Sequence, residues 1–157
     1  MGSKRSMSVL PALVSGLALW CAHAYAAPPV DACSVLTRAQ VSAILGADVI
    51  ADRRKAPDSC TWLVPGENRS GSSRGAVVFQ PDEMFYGFLV SGNRDHLTPI
   101  SGVGDEAFYL TTGKGKVPPT LAFKKGRAFF YVKVYGLPHD QSMLGERSIA
   151  LKILEKL

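Results

Sequence analysis

The stretch TLAFKKGRAFFYVKVYG, residues 120–136, carries the clearest fold signal in the chain. Two apolar runs flank Lys125 and Gly126, and glycine accommodates the positive φ angle that a two-residue hairpin turn requires. The stretch therefore predicts a β-hairpin whose turn is formed by Lys125 and Gly126.

Side chains on the second strand of this hairpin alternate between two faces. Phe130, Val132 and Val134 share one face, which we expect to lie in the core. The opposite face is either covered by a helix or left open, and a contiguous exposed aromatic surface usually marks an interaction site. Burial of Tyr131 should distinguish the two arrangements. We call the residues of this opposite face the aromatic strip: Phe129, Tyr131, Lys133 and Tyr135.

Other short segments also have the composition of strands. In the earliest of them, alternation places Cys60, Trp62 and Val64 on one face, and we expect Trp62 to lie in the core beneath the first helix. An aromatic platform for a ligand is the alternative role for Trp62. The segments are SCTWLV (59–64), AVVF (76–79) and EAFYL (106–110).

Gly102 and Gly104 precede the strand EAFYL. They do not form a dinucleotide-binding fingerprint, because the third glycine and the helix start are missing. A tight turn explains both glycines. Asp105 and Glu106 are adjacent, so in a strand they would face opposite sides and would not work as an acid and base pair.

The first predicted helix has signals at both ends. Thr37 and Gln40 have the spacing of a capping box, and Leu36 and Val41 have the spacing of a hydrophobic staple. Gly46 can adopt the left-handed conformation that ends a helix. These residues predict a short helix that packs against an apolar surface.

Two further helices are predicted later in the chain. Pro81 and the apolar spacing after it predict a middle helix. The final stretch is typical of an amphipathic helix that Asp140 or Ser142 can cap and that packs on a sheet. Its predicted apolar stripe comprises Met143, Ala150, Leu151, Leu154 and Leu157.

Strands separated by short turns, with few helices, favour the α+β class. We expect a mainly antiparallel sheet of about five to six strands, with a short N-terminal helix, a middle helix and a C-terminal helix packed on it. The sequence predicts one domain over residues 37–157, preceded by a segment, 27–36, that contains Cys33.

The amino terminus resembles an export signal. Two basic residues precede an apolar stretch over 9–20, and small residues follow, which is typical of a secretory signal peptide. We predict a signal peptide over residues 1–26, cleavage between Ala26 and Ala27, and a periplasmic or secreted location. The apolar stretch is shorter than the roughly 18 residues of a membrane-spanning helix.

Lipid anchoring and nucleic-acid binding are not expected. A lipidation signal has a small residue directly before the modified cysteine, whereas Cys21 follows Trp20. Removing residues 1–26 lowers the formal net charge from +5 to +3. A charge this small, spread along the chain, does not form the basic stripe that nucleic-acid binding requires.

Cys33 and Cys60 remain after the predicted cleavage, and an even cysteine count in an oxidising compartment favours a disulfide. Two free buried thiols are the alternative. A cysteine nucleophile would need a nearby histidine, and His96 and His139 lie in no recognisable signature. A zinc site would need closely spaced ligands, which the sequence lacks. We therefore expect neither a metal nor a cofactor.

A family resemblance spans nearly all of the predicted mature chain. The motifs CSVLTRAQVSAILG, CTW, SGVGDEAFY and LAFKKGRAFFYVKV, with the terminal helix, resemble an uncharacterised family of small exported bacterial domains, many of them lipid-anchored. That resemblance implies a soluble exported domain of unknown function in which Cys33 and Cys60 are paired. It implies no catalytic residues, and the lipid-anchor cysteine of the family is missing here.

Three hypotheses for the function follow. The leading one is a non-catalytic module that binds another envelope protein through the aromatic strip. The second is a carrier or sensor of a small apolar ligand, held in a cavity lined by Trp62, Phe85, Phe88 and Phe130. The third, a hydrolytic enzyme, would need His96 or His139 beside a carboxylate in a cleft. We predict that the protein is not an enzyme.

Overall fold

The computed structural model describes residues 31–54, 57–67, 73–92, 96–111 and 119–157. The predicted signal peptide, its cleavage site between Ala26 and Ala27, and Cys21 lie outside the described residues. The side chain of Phe88 is also outside the described part.

The α+β class is confirmed, but the sheet is larger than expected. The described residues form seven strands rather than five to six, in one antiparallel sheet with three helices. Two strands, at 50–52 and 97–99, lie where the sequence indicated no strand, because three residues are too few to show a strand pattern. The elements are α1 (Arg38–Leu45), β1 (Ile50–Asp52), β2 (Ser59–Leu63), β3 (Gly75–Phe79), α2 (Glu83–Gly92), β4 (Leu97–Pro99), β5 (Glu106–Leu110), β6 (Thr120–Lys125), β7 (Ala128–Tyr135) and α3 (His139–Leu154).

The strand order is β1-β2-β3-β7-β6-β5-β4. The strand β7 therefore lies in the middle of the sheet, between β3 and β6. The chain leaves β3 and returns at β4 on the far edge, so it must cross β7, β6 and β5 on the way. The helix α2 makes this crossing.

The two faces of the sheet are covered differently. On the first face, α1 and α3 enclose the main core, and Trp62 and Phe130 are fully buried there. The ring of Phe130 stacks on that of Phe123, with centroids 5.2 Å apart. The expected core positions of Trp62, Phe130, Val132 and Val134 are confirmed. The second face is crossed by α2.

The ends of α1 are formed as predicted. The Thr37 hydroxyl accepts a hydrogen bond from the Gln40 backbone N–H at 3.2 Å, and the Gln40 side chain accepts one from the Thr37 N–H at 2.8 Å. Gly46 ends the helix in the left-handed conformation, with φ of 64°. The capping box and the glycine cap are both confirmed, because each depends only on neighbouring residues.

The predicted pairing of Cys33 with Cys60 is also confirmed. Their sulfur atoms lie 1.97 Å apart, and both residues are buried in the main core. The bond joins the segment before α1 to β2. It therefore fixes the N-terminal helix against the first face of the sheet.

The hairpin between β6 and β7 forms with its turn displaced by one residue. Lys125 pairs with Ala128, so the two turn residues are Gly126 and Arg127 rather than Lys125 and Gly126. Gly126 has φ of 58°, as the first residue of a type II′ turn requires. The Asp105 carboxylate accepts hydrogen bonds from the Gly126 N–H at 2.7 Å and from the Lys125 ammonium at 2.8 Å, which holds this register.

The helix α3 packs through part of the predicted stripe, since Ala150 is buried and Met143 and Leu154 pack against the main core. It begins after Pro138, and no side chain caps it, so the expected cap at Asp140 or Ser142 is wrong. Leu151 and Leu157 are exposed, although the prediction placed them in the apolar stripe. The buried residues follow helical spacing and include a glutamate: Ser142, Gly145, Glu146, Ile149, Ala150 and Ile153.

Candidate functional site

The second face of the sheet carries a separate aromatic cluster under α2. Ala122 lies between Phe108 and Tyr131 in register across β5, β6 and β7. Its small side chain leaves room for the ring of Tyr86 from α2, whose centroid is 4.7 Å from that of Phe129 and 5.8 Å from that of Phe108. The Phe129 end of the aromatic strip is therefore covered.

Tyr131 lies at the border of the covered region. Its ring centroid is 6.4 Å from those of Phe79 and Phe85, and it is half-buried. The hydroxyl groups of Tyr131 and Tyr86 are both buried and have no hydrogen-bond partner in the described part of the chain. Burial raises the pKa of both tyrosines well above the ordinary value.

The other end of the strip, Lys133 and Tyr135, lies beyond α2. Tyr135 is paired with Gly75, and a Cβ built at Gly75 would lie 2.3 Å from the Tyr135 hydroxyl oxygen. The tyrosine ring therefore lies directly over the glycine backbone. The aromatic strip is thus divided, with one half under a helix and the other half beside strands β3, β2 and β1.

The strands next to Tyr135 and Lys133 extend this uncovered region. In the register of the sheet, Ile50, Leu63, Gly75 and Tyr135 form one row across β1, β2, β3 and β7. None of these four residues belongs to either core cluster, and Ile50 is 51% exposed. We call this region the open face and define it as Ile50, Thr61, Leu63, Val77, Lys133 and Tyr135.

One exposed apolar residue of α2 borders the open face. Phe85 is 47% exposed, and its ring centroid lies 5.7 Å from that of Phe79 on β3. On the opposite side of the molecule, Leu144 and Leu151 of α3 are also exposed but lie two helical turns apart. Single exposed leucines of this kind are ordinary surface features.

A cleft of about 370 Å³ opens between α2 and the sheet. Lys124 and Glu106 stand side by side on β6 and β5, with 4.0 Å between the ammonium nitrogen and a carboxylate oxygen. Phe129 is paired with Lys124 from the other side. The lining residues are Glu83, Tyr86, Gly87, Val90, Ser91, Glu106, Lys124 and Phe129.

Glu146 is a functional candidate that the sequence reasoning missed. It is fully buried, and one of its carboxylate oxygens accepts a hydrogen bond from the Val134 backbone N–H at 3.0 Å. The pairing of β7 with β6 ends at Val132. The Glu146 carboxylate therefore accepts the Val134 N–H in place of a carbonyl oxygen from a neighbouring strand. Its other oxygen has no partner among the described residues.

Burial raises the pKa of Glu146 from its ordinary value of 4.5 to about 8. The hydrogen bond from Val134 and the charge of Lys133 oppose this increase but do not cancel it. The only sequence signal for Glu146 is its position in the spacing of Ser142, Gly145 and Ile149. A glutamate in a predicted helix is normally assigned to the exposed side.

The other proposed site residues are not brought together. His96 and His139 are both exposed, and no group of three or more metal-binding side chains occurs in the described ranges. Trp62 and Phe130 lie on the first face, whereas Phe85 lies on the second. The expected single cavity lined by these residues is therefore wrong, since Phe85 belongs to α2, which crosses the second face.

One feature of the structure bears on the cellular location of the protein. A disulfide fits an extracellular or periplasmic compartment. None of the helices that the structure describes has the length and apolarity that a membrane crossing requires.

No protein-family model matches the chain, and no curated protein or solved structure shows a significant similarity to it.

Proposed function

We propose that the chain is an exported, non-catalytic module that binds another envelope protein through the open face, with Phe85 at its border. The observation that supports this proposal is that half of an apolar sheet face has no cover among the described elements. An exposed apolar patch rimmed by polar residues typically marks a site of protein interaction.

The shape of the open face favours a protein partner over a small molecule. Small-molecule sites are concave. Gly75 has no side chain and would leave a gap in the row from Ile50 to Tyr135. The ring of Tyr135 occupies the space above Gly75 and fills this gap. The result is a level surface that contains tyrosine and aliphatic side chains, as the centres of protein interfaces do.

The charges on the face indicate the chemistry of the partner. Asp52 of β1 lies in the same row as Thr61, Val77 and Lys133, and it forms an ion pair with Arg54 and so is already neutralised. Lys133 is a half-buried cation in the middle of β7, among Val77 and Tyr135. A partner that presents an apolar surface with a carboxylate opposite Lys133 would be complementary in both shape and charge.

Site-specific photo-crosslinking in the native cell tests this proposal. A photoreactive phenylalanine at Ile50 would report on the open face, and the same residue at Leu144, 66% exposed on α3, is the matched control. We expect one product from Ile50 that is absent from Leu144, and a second protein identified in it by mass spectrometry. Identical products at both positions, or a product that contains only this chain, would contradict the proposal.

The partner identified in this way can then be tested for charge recognition. We expect Lys133→Glu to weaken its affinity at least tenfold and Lys133→Arg to weaken it less than threefold, at unchanged melting temperature. Equal affinities for the two variants would show that Lys133 does not contact the partner and that the open face has been assigned wrongly.

A further inference from the structure

We propose that the cleft between α2 and the sheet binds a small organic ammonium ion with an apolar body. This site is separate from the open face and does not depend on the protein-binding proposal. It is formed by one stripe of α2, namely Glu83, Tyr86, Gly87 and Val90, and by residues of β5, β6 and β7. Its volume of about 370 Å³ lies within the range of small-molecule sites.

Gly87 creates part of the space in the cleft. A Cβ built at this position meets no atom within 4 Å, and Gly87 lines the cleft together with Tyr86 and Val90. Its φ angle is not in the left-handed range, so the helix backbone does not require glycine there. Glycine is unfavourable inside a helix, and here its effect is to leave room beside the aromatic cluster.

Tyr86 supplies an unused hydrogen-bonding group at this site. The residue is only 4% exposed and lines the cleft, yet its hydroxyl has no hydrogen-bond partner within the described residues. Burial raises the pKa of Tyr86, and the nearby negative charge of Glu106 raises it further. The hydroxyl is therefore neutral and close to a carboxylate. A buried polar group of this kind normally has a partner.

The charges around the cleft favour a cation. Glu83 contributes a carboxylate from α2 and Glu106 contributes one from β5, while Lys124 is the one cation among the described lining residues. Lys124 and Glu106 are 4.0 Å apart, at the limit of an ion pair. An ammonium group beside Glu106 can donate hydrogen bonds to that carboxylate and to the Tyr86 hydroxyl oxygen.

The apolar side of the cleft would hold the body of the ligand. Phe129 and Val90 line it together with the ring of Tyr86. An aromatic ring also attracts a cation placed over its face, which adds to the preference for an ammonium group. A neutral or anionic molecule of the same size would have the apolar contacts but not the charge interactions.

A titration with three benzyl probes that differ in charge tests the proposal. Benzylammonium, benzyl alcohol and phenylacetate would each be added to the isotope-labelled protein while backbone amide NMR signals are recorded. We expect benzylammonium to shift the signals of Gly87, Val90 and Lys124 with a dissociation constant at least tenfold lower than that of benzyl alcohol. We expect phenylacetate to shift none of them. Equal binding of the alcohol, or no shift with benzylammonium, would overturn the proposal.

Variants locate the binding in the cleft. Gly87→Leu fills the open space without removing a contact, and it should abolish the shifts while leaving the signals of α3 unchanged. Glu106→Gln should weaken benzylammonium at least fivefold. Glu155→Gln, at the exposed end of α3, is the matched control and should bind like the wild type. Unchanged binding by Gly87→Leu would overturn the assignment, whatever crosslinking at Ile50 shows for the open face.

Discussion

Replacing Glu146 by glutamine should remove most of the pH dependence of stability between pH 4.5 and pH 8. The side chains have nearly the same shape, and the glutamine oxygen can still accept the hydrogen bond from the Val134 N–H. The difference is that glutamine carries no charge at any pH. The variant therefore isolates the free energy of ionising a carboxyl group inside the core.

The magnitude follows from the shift of the pKa of Glu146. Its pKa rises from 4.5 in the unfolded chain to about 8 in the folded protein. Each pH unit of such a shift corresponds to about 1.4 kcal/mol, so the folded state loses about 5 kcal/mol in total. This loss is large compared with the 5–15 kcal/mol by which typical domains are stable.

The direction of the effect is fixed by which state holds the proton. Below pH 4.5 both states are protonated, and the carboxyl group has its full stabilising contribution. Between pH 4.5 and pH 8 the unfolded chain has lost the proton while folded Glu146 keeps it, so stability falls as pH rises. Above pH 8 both states are ionised and the loss is complete.

Two other groups interact electrostatically with Glu146. Lys133 of β7 favours the ionised carboxylate. Tyr109 of β5 also interacts with Glu146: burial raises the pKa of this tyrosine, and the charge of Glu146 raises it further. Both groups are present in the wild type and in the variant, so the comparison of the two proteins removes their own contributions to the pH dependence.

Urea unfolding at several pH values, followed by the fluorescence of the buried Trp62, measures the effect. We expect the wild type to lose several kcal/mol between pH 5 and pH 8.5 and Glu146→Gln to lose less than about 1 kcal/mol over the same range. Glu155→Gln is the exposed control and should follow the wild type. If Glu146→Gln has the same pH profile as the wild type, the ionisation of Glu146 does not govern stability and the reasoning is refuted.

Two further predictions concern the fold. Replacing Cys33 and Cys60 by serine should destabilise the protein by about 3.5 kcal/mol in urea unfolding, because the bond closes a loop with a sequence separation of 27 residues; an unchanged midpoint would contradict this. Gly104→Ala should lower stability by about 1–3 kcal/mol, because Gly104 has φ of 60° and a Cβ there would lie 2.3 Å from the Lys124 carbonyl oxygen. Its control, Gly87→Ala, should raise stability by about 0.5–1 kcal/mol in thermal unfolding, and a loss of stability in this control would show that the space around Gly87 is not open.

Features that depend on neighbouring residues could be predicted from the sequence. The capping box of Thr37 and Gln40 was identified by spacing alone. The alternation along β7 correctly separated Phe130 from Tyr131. The hairpin was also identified, but its turn moved by one residue because the Asp105 carboxylate, distant in sequence, binds the Gly126 N–H. Such a contact leaves no local signal.

Features that depend on the arrangement of the whole sheet could not be predicted. A strand pattern tells which side chains share a face but not which face of the finished sheet they reach, so Trp62 and Phe85 were wrongly placed in one cavity. The division of the aromatic strip follows from the path of α2 across the sheet. Glu146 was missed for a related reason, because its acceptor role exists only where the pairing of β7 with β6 has ended.

The central position of β7 has a consequence for how the protein is made. The strands β1 to β3 and β4 to β6 precede it in the chain, yet β7 is the strand that joins these two groups into one sheet. The helix α3, which closes the main core, follows β7 directly. A chain synthesised from its amino terminus therefore holds two separate strand groups with exposed apolar faces until residues 128–157 have been added. Folding of this domain is completed only once residues 128–157 have been added, and the nascent chain stays open to chaperones and to proteases until then.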